Sequence, residues 1–197
     1  MQAQLVLASA SPRRRELLVQ LGVRAMVRPA GVPETVRPRE SAEAYARRIA
    51  LEKAQAGAAG TAIDLPVLGA DTDVVLDGEI LGKPGSRQHA VEMLLRLAGR
   101  SHQVYSAVAM VRGGREAVRL SVTEVSFGPI SAAQAEAYWA SGEPADKAGA
   151  YGIQGLGAAF VREIRGSYSG VVGLPLYETC ELLAEFGVDV FARPPVV

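Results

Sequence analysis

The chain has 197 residues, of which 49% are hydrophobic, and its 21 lysines and arginines balance its 21 aspartates and glutamates. This length and apolar fraction suffice for a sizeable buried core, and a formal net charge of zero excludes the global basic field with which a protein attracts nucleic acid. The single cysteine, Cys180, excludes an internal disulfide framework and a cysteine metal cluster, and because no signal-like segment or apolar run of about 18 residues occurs, we expect a cytoplasmic protein.

The N-terminal segment predicts a phosphate-binding helix start. A short apolar strand over residues 5–8 leads through a serine-rich loop into three consecutive arginines. Ser11 is predicted to be the N-cap and Pro12 the first helical residue, so that unpaired amides of the first turn face the preceding loop. Positive side chains are locally unfavourable at a helix N-terminus. Arg13 and Arg14 therefore indicate a bound anion such as phosphate, rather than a basic helix start neutralised by solvent.

Apolar strands alternate with amphipathic helices along the chain, which indicates an α/β domain. The first helix is expected to end at Gly22, and Ser41 is the predicted N-cap of a second helix. Residues at helical spacing place one lysine on an otherwise apolar face of this helix. The residues of that face are Tyr45, Ile49, Lys53 and Ala56.

The remaining elements are predicted from turn signals and periodicity. The segment 66–81 is expected to form a strand and a hairpin turning at Asp77-Gly78, and a third helix follows from an N-cap at Ser86 to Gly99. Gly113-Gly114 is expected to join two long strands. Their predicted ranges, and those of the later elements, are 102–111 and 116–127 for the strands, 132–140 for a fourth helix, 142–157 for an irregular glycine-rich segment and 175–186 for a final helix.

The most specific chemistry lies between Gly69 and Pro84, where the sequence reads GADTDVVLDGEILGKP. Asp71 follows an apolar run, which predicts a carboxylate at a strand end, and Lys83 returns toward it after the hairpin. Such a pair suits metal-assisted attack on a phosphate, because the carboxylate orients a metal ion or accepts a proton from water while the ammonium neutralises oxygen charge. A structural salt bridge is the alternative, but it leaves the surrounding glycines unexplained. Asp77 is accounted for by the turn, and Asp73 is expected to face solvent.

The glycine-rich segment 149–157 neither follows a strand nor opens a helix, so it does not match a dinucleotide-binding fingerprint. Its glycines permit close backbone approach to a ligand, and Gln154 supplies an amide that can both donate and accept at the edge of a base. A tight surface turn is the alternative interpretation. We favour ligand binding because Asp146 and Lys147 lie just upstream.

These segments resemble the Maf family of nucleoside triphosphate pyrophosphatases, and the resemblance extends over almost the whole chain. The matching segments are LASASPRRRELL (7–18), PETVRPRESAEAYARRIALEKA (33–54), GADTDVVLDGEILGKP (69–84), GEPADKAGAYGIQGLG (142–157) and GSYSGVVGLPLYET (166–179). The resemblance implies the two-lobed α/β fold of Maf and inosine triphosphatase-like proteins, in which helices flank a mixed sheet with a central cleft. It also implies metal-dependent hydrolysis of a nucleoside triphosphate to the monophosphate and pyrophosphate, a reaction that cleans the nucleotide pool.

The resemblance also assigns roles to individual residues. The family's catalytic carboxylate falls on Asp71, and Glu34 and Asp71 are implied to hold a divalent metal, Mg²⁺ or Mn²⁺. The substrate-binding residues that the resemblance implies are Ser9, Arg13, Arg14, Lys53, Thr72, Lys83, Lys147 and Gln154.

Three of these positions indicate the substrate. Arg13, Thr72 and Gln154 are similar to the branch of the family that acts on dTTP and UTP. Gln154 can match the O4 acceptor and N3–H donor of thymine or uracil, whereas cytosine would leave a donor unpaired. The chain departs from the family pattern at Asp73, where an apolar residue is usual and a carboxylate could alter the charge around the metal, and at Ser106, where threonine is common.

Other interpretations belong to different classes of protein. A nucleotide-sensing regulator of cell division or septum formation would bind a triphosphate without needing a carboxylate beside the cations, and a nucleic-acid module would need a basic face or stacking aromatics that the sequence lacks. His102, a lone histidine in a strand, is interpreted as structural. We expect one domain over residues 1–197, while the sequence leaves open whether the protein forms a homodimer and which pyrimidine triphosphate, standard or modified, is the physiological substrate.

Overall fold

The computed structural model describes residues 2–59 and 64–191 of the chain. The strands in these ranges are β1 (Leu5–Leu7), β2 (Ala25–Val27), β3 (Val67–Leu76), β4 (Glu79–Leu81), β5 (Ser101–Arg112), β6 (Arg115–Phe127) and β7 (Val161–Arg165). The helices are α1 (Pro12–Gln20), α2 (Ala42–Ala59), α3 (Arg87–Leu97), α4 (Ala132–Ala140), α5 (Tyr168–Val172) and α6 (Leu176–Glu185). None of these helices is long and apolar enough to span a membrane.

The strands form one mixed sheet with the order β2-β1-β3-β5-β6-β7, and β4 pairs with β3 outside this path. β1 is parallel to both β2 and β3, whereas β3, β5, β6 and β7 follow one another in antiparallel fashion. Both predicted hairpins are confirmed. Asp77 and Gly78 have φ values of 53° and 83°, and Gly113 and Gly114 have 57° and 79°, which is the left-handed geometry of a two-residue hairpin turn that follows the strand twist.

The two faces of the sheet carry cores of different character. One face packs large side chains such as Leu68, Met110 and Phe127 under α1, α3, α4 and α6. On the other face, small residues of α2 such as Ala50 meet small residues of β5 such as Ala107. β3 is buried on both sides because elements pack on both faces of the sheet. Since side chains alternate between the faces of a strand, the position of each residue in β3 decides which of the two cores it faces.

Helix α2 lies unusually close to β3 because β3 has a glycine at the point of contact. A Cβ atom on Gly69 would lie 2.3 Å from the Ala50 carbonyl oxygen and 2.5 Å from the Ala54 amide nitrogen. Any side chain there would therefore push the helix outward. This close contact brings Lys53 of α2 beside the residues of β3 that point to the same face.

Most of the predicted elements and caps are confirmed. Ser86 and Ser131 accept hydrogen bonds from the first-turn amides of α3 and α4, and Ser41 accepts one from the Ala44 amide at the start of α2. The buried face of α2 was predicted wrongly at Ala56, which is exposed, because the helical spacing from Ala50 and Ala54 continues to Gly57 instead.

Several short elements were not predicted. β2, β7 and α5 span only three to five residues each, which is too few for a periodic pattern to be recognised. The segment predicted to be irregular contains short 3₁₀ helices at Glu143–Asp146 and Ala148–Ala150, and a third follows at Leu156–Phe160.

Candidate functional site

All the residues assigned from the sequence to the metal or the substrate line one cavity of about 940 Å³. The cavity is lined by the loop after β1, the start of α1, the loop before α2, α2 itself, β3, the segment after β4 and the glycine-rich segment. The sequence-predicted residues among its walls are Ser9, Arg13, Arg14, Glu34, Lys53, Asp71, Thr72, Lys83, Lys147 and Gln154. The structure therefore brings together side chains that are up to 145 positions apart in the sequence, which is the separation from Ser9 to Gln154.

The start of α1 is open. Ser11 occupies the N-cap position and Pro12 the first turn, as predicted, but the Ser11 side chain makes no capping hydrogen bond. The Ser11 backbone N–H donates to Ser9 Oγ at 3.2 Å, which links the two serines of the loop. The first-turn N–H groups thus remain without a side-chain cap, as an anion site requires.

The Arg14 guanidinium donates most of its hydrogen bonds to other residues of the protein. Its Nε donates to the Gly173 carbonyl oxygen at 2.8 Å, one terminal nitrogen donates to Ser9 Oγ at 3.1 Å, and the other to Thr72 Oγ1 at 3.3 Å. Burial lowers the pKa of Arg14, while the nearby Asp71 and Glu34 carboxylates oppose this effect. Arg14 therefore fixes three separate segments of the cavity wall, and only its remaining N–H donors are available to a ligand.

Lys53 lies at the centre of the site and bonds two carboxylates. Its ammonium nitrogen is 2.7 Å from Asp71 Oδ1 and 2.7 Å from Glu34 Oε1. The Lys53 and Asp71 side chains are only 9% and 8% exposed, whereas Glu34 is 45% exposed. Burial raises the pKa of Glu34, but the hydrogen bond and charge of Lys53 outweigh it, so that the pKa is lowered overall. A buried ammonium is stabilised only by such partners, which explains a lysine on an apolar helix face.

Asp71 lies in the middle of β3 rather than at a strand end, so this part of the prediction was wrong. The antiparallel pairing with β5 continues past Asp71 to Val75, because the apolar residues that follow the GADTD sequence extend the strand to the hairpin. Asp71 nevertheless reaches the cavity, since Gly69 lets α2 approach and its Lys53 bonds the carboxylate.

Asp73 was expected to face solvent, and this expectation was wrong as well. The residue is 8% exposed and lines the same cavity as Asp71. Burial and the neighbouring Asp71 carboxylate raise the pKa of Asp73. Asp71 and Asp73 are two positions apart on one strand, so both side chains point to the face that α2 covers.

Two cations of the cavity, Arg13 and Lys83, have only longer-range charge interactions with carboxylates in the described ranges, of Arg13 with Asp146 and of Lys83 with Glu34. Within the described ranges, Arg13 and Lys83 make no hydrogen bond or ion pair with another residue, and Lys83 is exposed to the cavity. Lys147 differs, because its ammonium donates to the Glu143 carbonyl oxygen at 2.7 Å and to Asp146 Oδ1 at 2.8 Å. Unpaired cations in a concave site, close to an open helix start, form a binding surface for several phosphate oxygens.

The glycine-rich segment is held by a residue that the sequence reading did not single out. Glu143 accepts hydrogen bonds from the Leu156 amide at 2.8 Å, the Gly157 amide at 3.1 Å and the Tyr138 hydroxyl at 2.6 Å. A Cβ atom on Gly155 would lie 2.2 Å from Glu143 Oε2. The carboxylate thus fixes the backbone that directly follows the exposed Gln154, whose side chain makes no hydrogen bond with the part of the chain that the structure describes.

His102 has the structural role that was predicted for it. The residue is 3% exposed, its Nε2 lies 2.8 Å from the Tyr151 hydroxyl, and its ring contacts Phe127 edge-on. Burial lowers the pKa of His102 to about 4, so the ring is neutral at physiological pH.

The donor chemistry of the site fits a divalent metal. Asp71 Oδ2 and Asp73 Oδ2 are buried and have no hydrogen-bond partner in the described part of the chain, and carboxylate oxygens are the ligands that Mg²⁺ and Mn²⁺ prefer. No group of three or more Asp, Glu, His or Cys side chains in the described ranges is arranged to hold an ion alone. This agrees with the usual binding of Mg²⁺ by one or two carboxylates together with substrate phosphates.

Comparison with known proteins relates this site to a family. A family model described as Maf-like protein matches residues 4–186. The dTTP/UTP pyrophosphatase of Shigella dysenteriae is 57% identical over 182 residues, which cover 92% of each chain. The nucleoside triphosphate pyrophosphatase of Shigella flexneri is 56% identical over 182 residues with the same coverage, and the dTTP/UTP pyrophosphatase of Saccharophagus degradans is 53% identical over 192 residues, covering 96% of this chain and 91% of that one.

A solved structure supports the fold. The nucleoside-triphosphatase, or dITP/XTP pyrophosphatase, of Mycobacterium abscessus covers 92% of this chain and 93% of its own with a TM-score of 0.50 and 20% sequence identity. At this identity the likeness concerns the fold alone, and it confirms the expected α/β architecture with helices on a mixed sheet. Since a family model matches residues 4–186 and relatives more than half identical extend over nine-tenths of the chain, the chain belongs to the family of Maf-like proteins.

Proposed function

We propose that this protein hydrolyses nucleoside triphosphates, preferentially dTTP and UTP, to the monophosphate and pyrophosphate in a reaction that requires a divalent metal. The observation that carries the proposal is the single cavity in which a buried carboxylate, Asp71, lies among unpaired cations beside an open helix start. The names of the relatives that are 56–57% identical support the same reaction and the same substrates.

The phosphate chain is the part of the substrate that the cavity fits best. Arg13 and Lys83 offer charged donors without protein partners in the described residues, and the N–H groups of the first turn of α1 add neutral ones. Ser9 and the remaining donors of Arg14 complete this surface. These groups bind the triphosphate and stabilise the negative charge that grows on pyrophosphate as it leaves.

Asp71 is the general base of the proposed reaction. Its Oδ1 is held by Lys53 at 2.7 Å, while Oδ2 has no partner in the described residues and is the atom that can accept a proton. Water attacks the α-phosphorus, its proton passes to Asp71 Oδ2, and the bond from the α-phosphorus to the bridging oxygen breaks so that pyrophosphate leaves. Lys53 orients the carboxylate through its bond to Oδ1.

The divalent metal, Mg²⁺ or Mn²⁺, would be held by Asp71 and Glu34 together with phosphate oxygens. When bound it neutralises the triphosphate charge and polarises the reacting phosphoryl group. The half-exposed Glu34 can keep its bond to Lys53 through Oε1 and offer its other oxygen.

Gln154 and Thr72 are the residues proposed to recognise the base. Gln154, exposed and fixed in place through Glu143, presents an amide to a pyrimidine edge. Thr72 shapes the same cavity, although its hydroxyl is engaged, because it donates to the Gly173 carbonyl oxygen and accepts from Arg14. Thymine and uracil supply the acceptor and donor pattern that one amide can satisfy.

The test is pyrophosphate release by the purified protein with Mg²⁺ or Mn²⁺, measured in parallel for dTTP, UTP, CTP, ATP and GTP. We expect release from dTTP and UTP, and its loss in the Asp71→Asn variant. Tight binding of a triphosphate without pyrophosphate release would contradict the proposal and favour the nucleotide-sensing regulator.

A further inference from the structure

Asp73 is a buried carboxylate for which the proposed mechanism has no task. It follows Asp71 by two positions in β3, so that both side chains lie on the face of the sheet that α2 covers. Both residues are more than nine-tenths buried, and both line the cavity. Opposite Asp73 in the β3–β5 ladder is Tyr105, not a basic residue.

The positive charge near this pair is already committed. Lys53 divides its ammonium between Asp71 Oδ1 and Glu34 Oε1, and Arg14 is bonded to Gly173, Ser9 and Thr72. Asp73 forms no ion pair with any residue in the described ranges. Asp71 Oδ2 and Asp73 Oδ2 are left buried, without hydrogen-bond partners there.

Two buried and unpartnered carboxylate oxygens need a positive partner between them, because an isolated buried charge is strongly unfavourable. A proton shared by the pair is one solution, and a divalent cation is the other. The site favours the divalent cation, because it supplies carboxylate oxygens, the donors that such ions prefer. It also lies in the same cavity as the arginine and lysine side chains proposed to bind the phosphates, whose oxygens would complete the ligands of the ion.

We propose that Asp73 is a ligand of the divalent cation, which it holds together with Asp71. This inference rests on the proposed function and divides cation binding and proton acceptance between two carboxylates. With Oδ1 bonded to Lys53, Asp71 has only Oδ2 for both the cation and the proton from water. A second carboxylate on the same face takes over part of the cation binding and leaves a lone pair of Asp71 Oδ2 for the proton.

The test measures metal binding without nucleotide and without turnover. Mn²⁺ is titrated into the full-length protein, and the free ion is followed by electron paramagnetic resonance. Asp73→Asn and Asp73→Val both suit a strand and remove the carboxylate, and each should raise the Kd for Mn²⁺ by at least about tenfold, since the charge count of the ligands sets the affinity of such sites. Asp77→Asn is the matched control, because it removes an equal charge at the exposed turn of the same hairpin and should change Kd by less than about twofold.

A second measurement gives an independent readout from the same variants. Mn²⁺ should raise the melting temperature of the parent protein and of Asp77→Asn, but not that of Asp73→Asn, because only a bound ion stabilises the folded state. An Mn²⁺ affinity that is the same in the parent, Asp73→Asn and Asp73→Val would overturn the inference and leave the shared proton as the partner of the pair. Absence of pyrophosphate release by the parent protein would instead refute the proposed function. The Mn²⁺ binding experiment does not depend on that activity.

Discussion

Asp71 illustrates at the scale of a single residue how a site is built from competing requirements. In the proposed reaction it must lie close to the substrate, in a buried part of the cavity, and still offer an oxygen to the proton of water. The 2.7 Å bond from Lys53 holds Oδ1, while Oδ2 has no partner in the described residues. We therefore predict that Asp71→Asn, which is nearly isosteric, keeps the fold but lowers kcat for UTP by about 10²-fold or more, as expected for removal of a general base.

The check on Asp71→Asn is single-turnover hydrolysis of UTP, with the melting temperature recorded to establish folding. Turnover close to that of the parent would assign the base to Glu34, the other carboxylate bonded to Lys53.

Arg13 and Lys83 are expected to serve the ligand and not the fold, because neither has a partner in the described ranges. Replacing either by alanine should lower kcat/KM for UTP by at least about tenfold. The melting temperature should change by no more than about 2 °C, as for other surface substitutions in a domain of this size. Arg112→Ala is the control, since that arginine pairs with Asp64 outside the cavity. A collapse in melting temperature with normal activity per folded molecule would assign Arg13 or Lys83 a structural role.

At the scale of elements, local signals predict the helices and hairpins well because their causes are local. Ser86, Ser131 and the Asp77-Gly78 turn act on backbone atoms only a few residues away. The site was harder to predict because its contacts are distant in sequence. The apolar residues after Asp71 extend β3 past it, but the burial of Asp73 depends on the packing of α2 against β3, which the residues around Asp73 do not show.

The same separation hides the residues that hold loops in place. Glu143 bonds amides 13 and 14 positions away, and Gly173 accepts from Arg14 across 159 positions. The family resemblance identified the residues that line the cavity without knowledge of these long-range contacts, because a match needs only the residues and their order in the sequence. The geometry that decides which of their atoms are free came only from the structure.

The contact between α2 and β3 provides a prediction for an element as a whole. Gly69→Ala would place a Cβ atom 2.3 Å from the Ala50 carbonyl oxygen, so α2 must move away and carry Lys53 with it. We expect a loss of about 1–3 kcal/mol in the free energy of unfolding, or about 2–12 °C in melting temperature, together with lower kcat. In the control Gly128→Ala, the new Cβ atom would have its nearest neighbour at 3.9 Å, and both quantities should stay near those of the parent.

The hold of Glu143 on the glycine-rich segment leads to a separate prediction. Glu143→Gln keeps the size of the side chain but replaces one of the oxygens that accept from Leu156 and Gly157. The segment should then loosen, raising KM for UTP and weakening the preference for UTP over CTP. The rate with saturating UTP should fall less than in Asp71→Asn. A variant with unchanged KM and preference would show that Gln154 does not depend on this carboxylate for its position.

The whole molecule has no net charge, so its attraction for a polyanionic substrate must come from the arrangement of its side chains. The fold achieves this by bringing the start of α1, the face of α2, the middle of β3 and the glycine-rich segment to one cavity. Residues from Ser9 to Gly173 contribute to it. That residues 1–197 form one domain remains a prediction. It is the simplest way to bring residues so far apart in the sequence into one cavity.

Selectivity tests this arrangement as a whole, because the proposed base recognition and the proposed reaction use different residues of the same cavity. If Gln154 reads the base, dTTP and UTP should be hydrolysed faster than CTP by about 5- to 150-fold, the equivalent of about 1–3 kcal/mol for a buried donor left unpaired. Gln154→Ala should slow UTP hydrolysis and narrow the ratio of kcat/KM between UTP and CTP, whereas Lys83→Ala should slow both substrates by the same factor. Equal rates on all the triphosphates in the parent protein would refute base recognition by Gln154 and leave the pyrophosphatase chemistry at Asp71 standing.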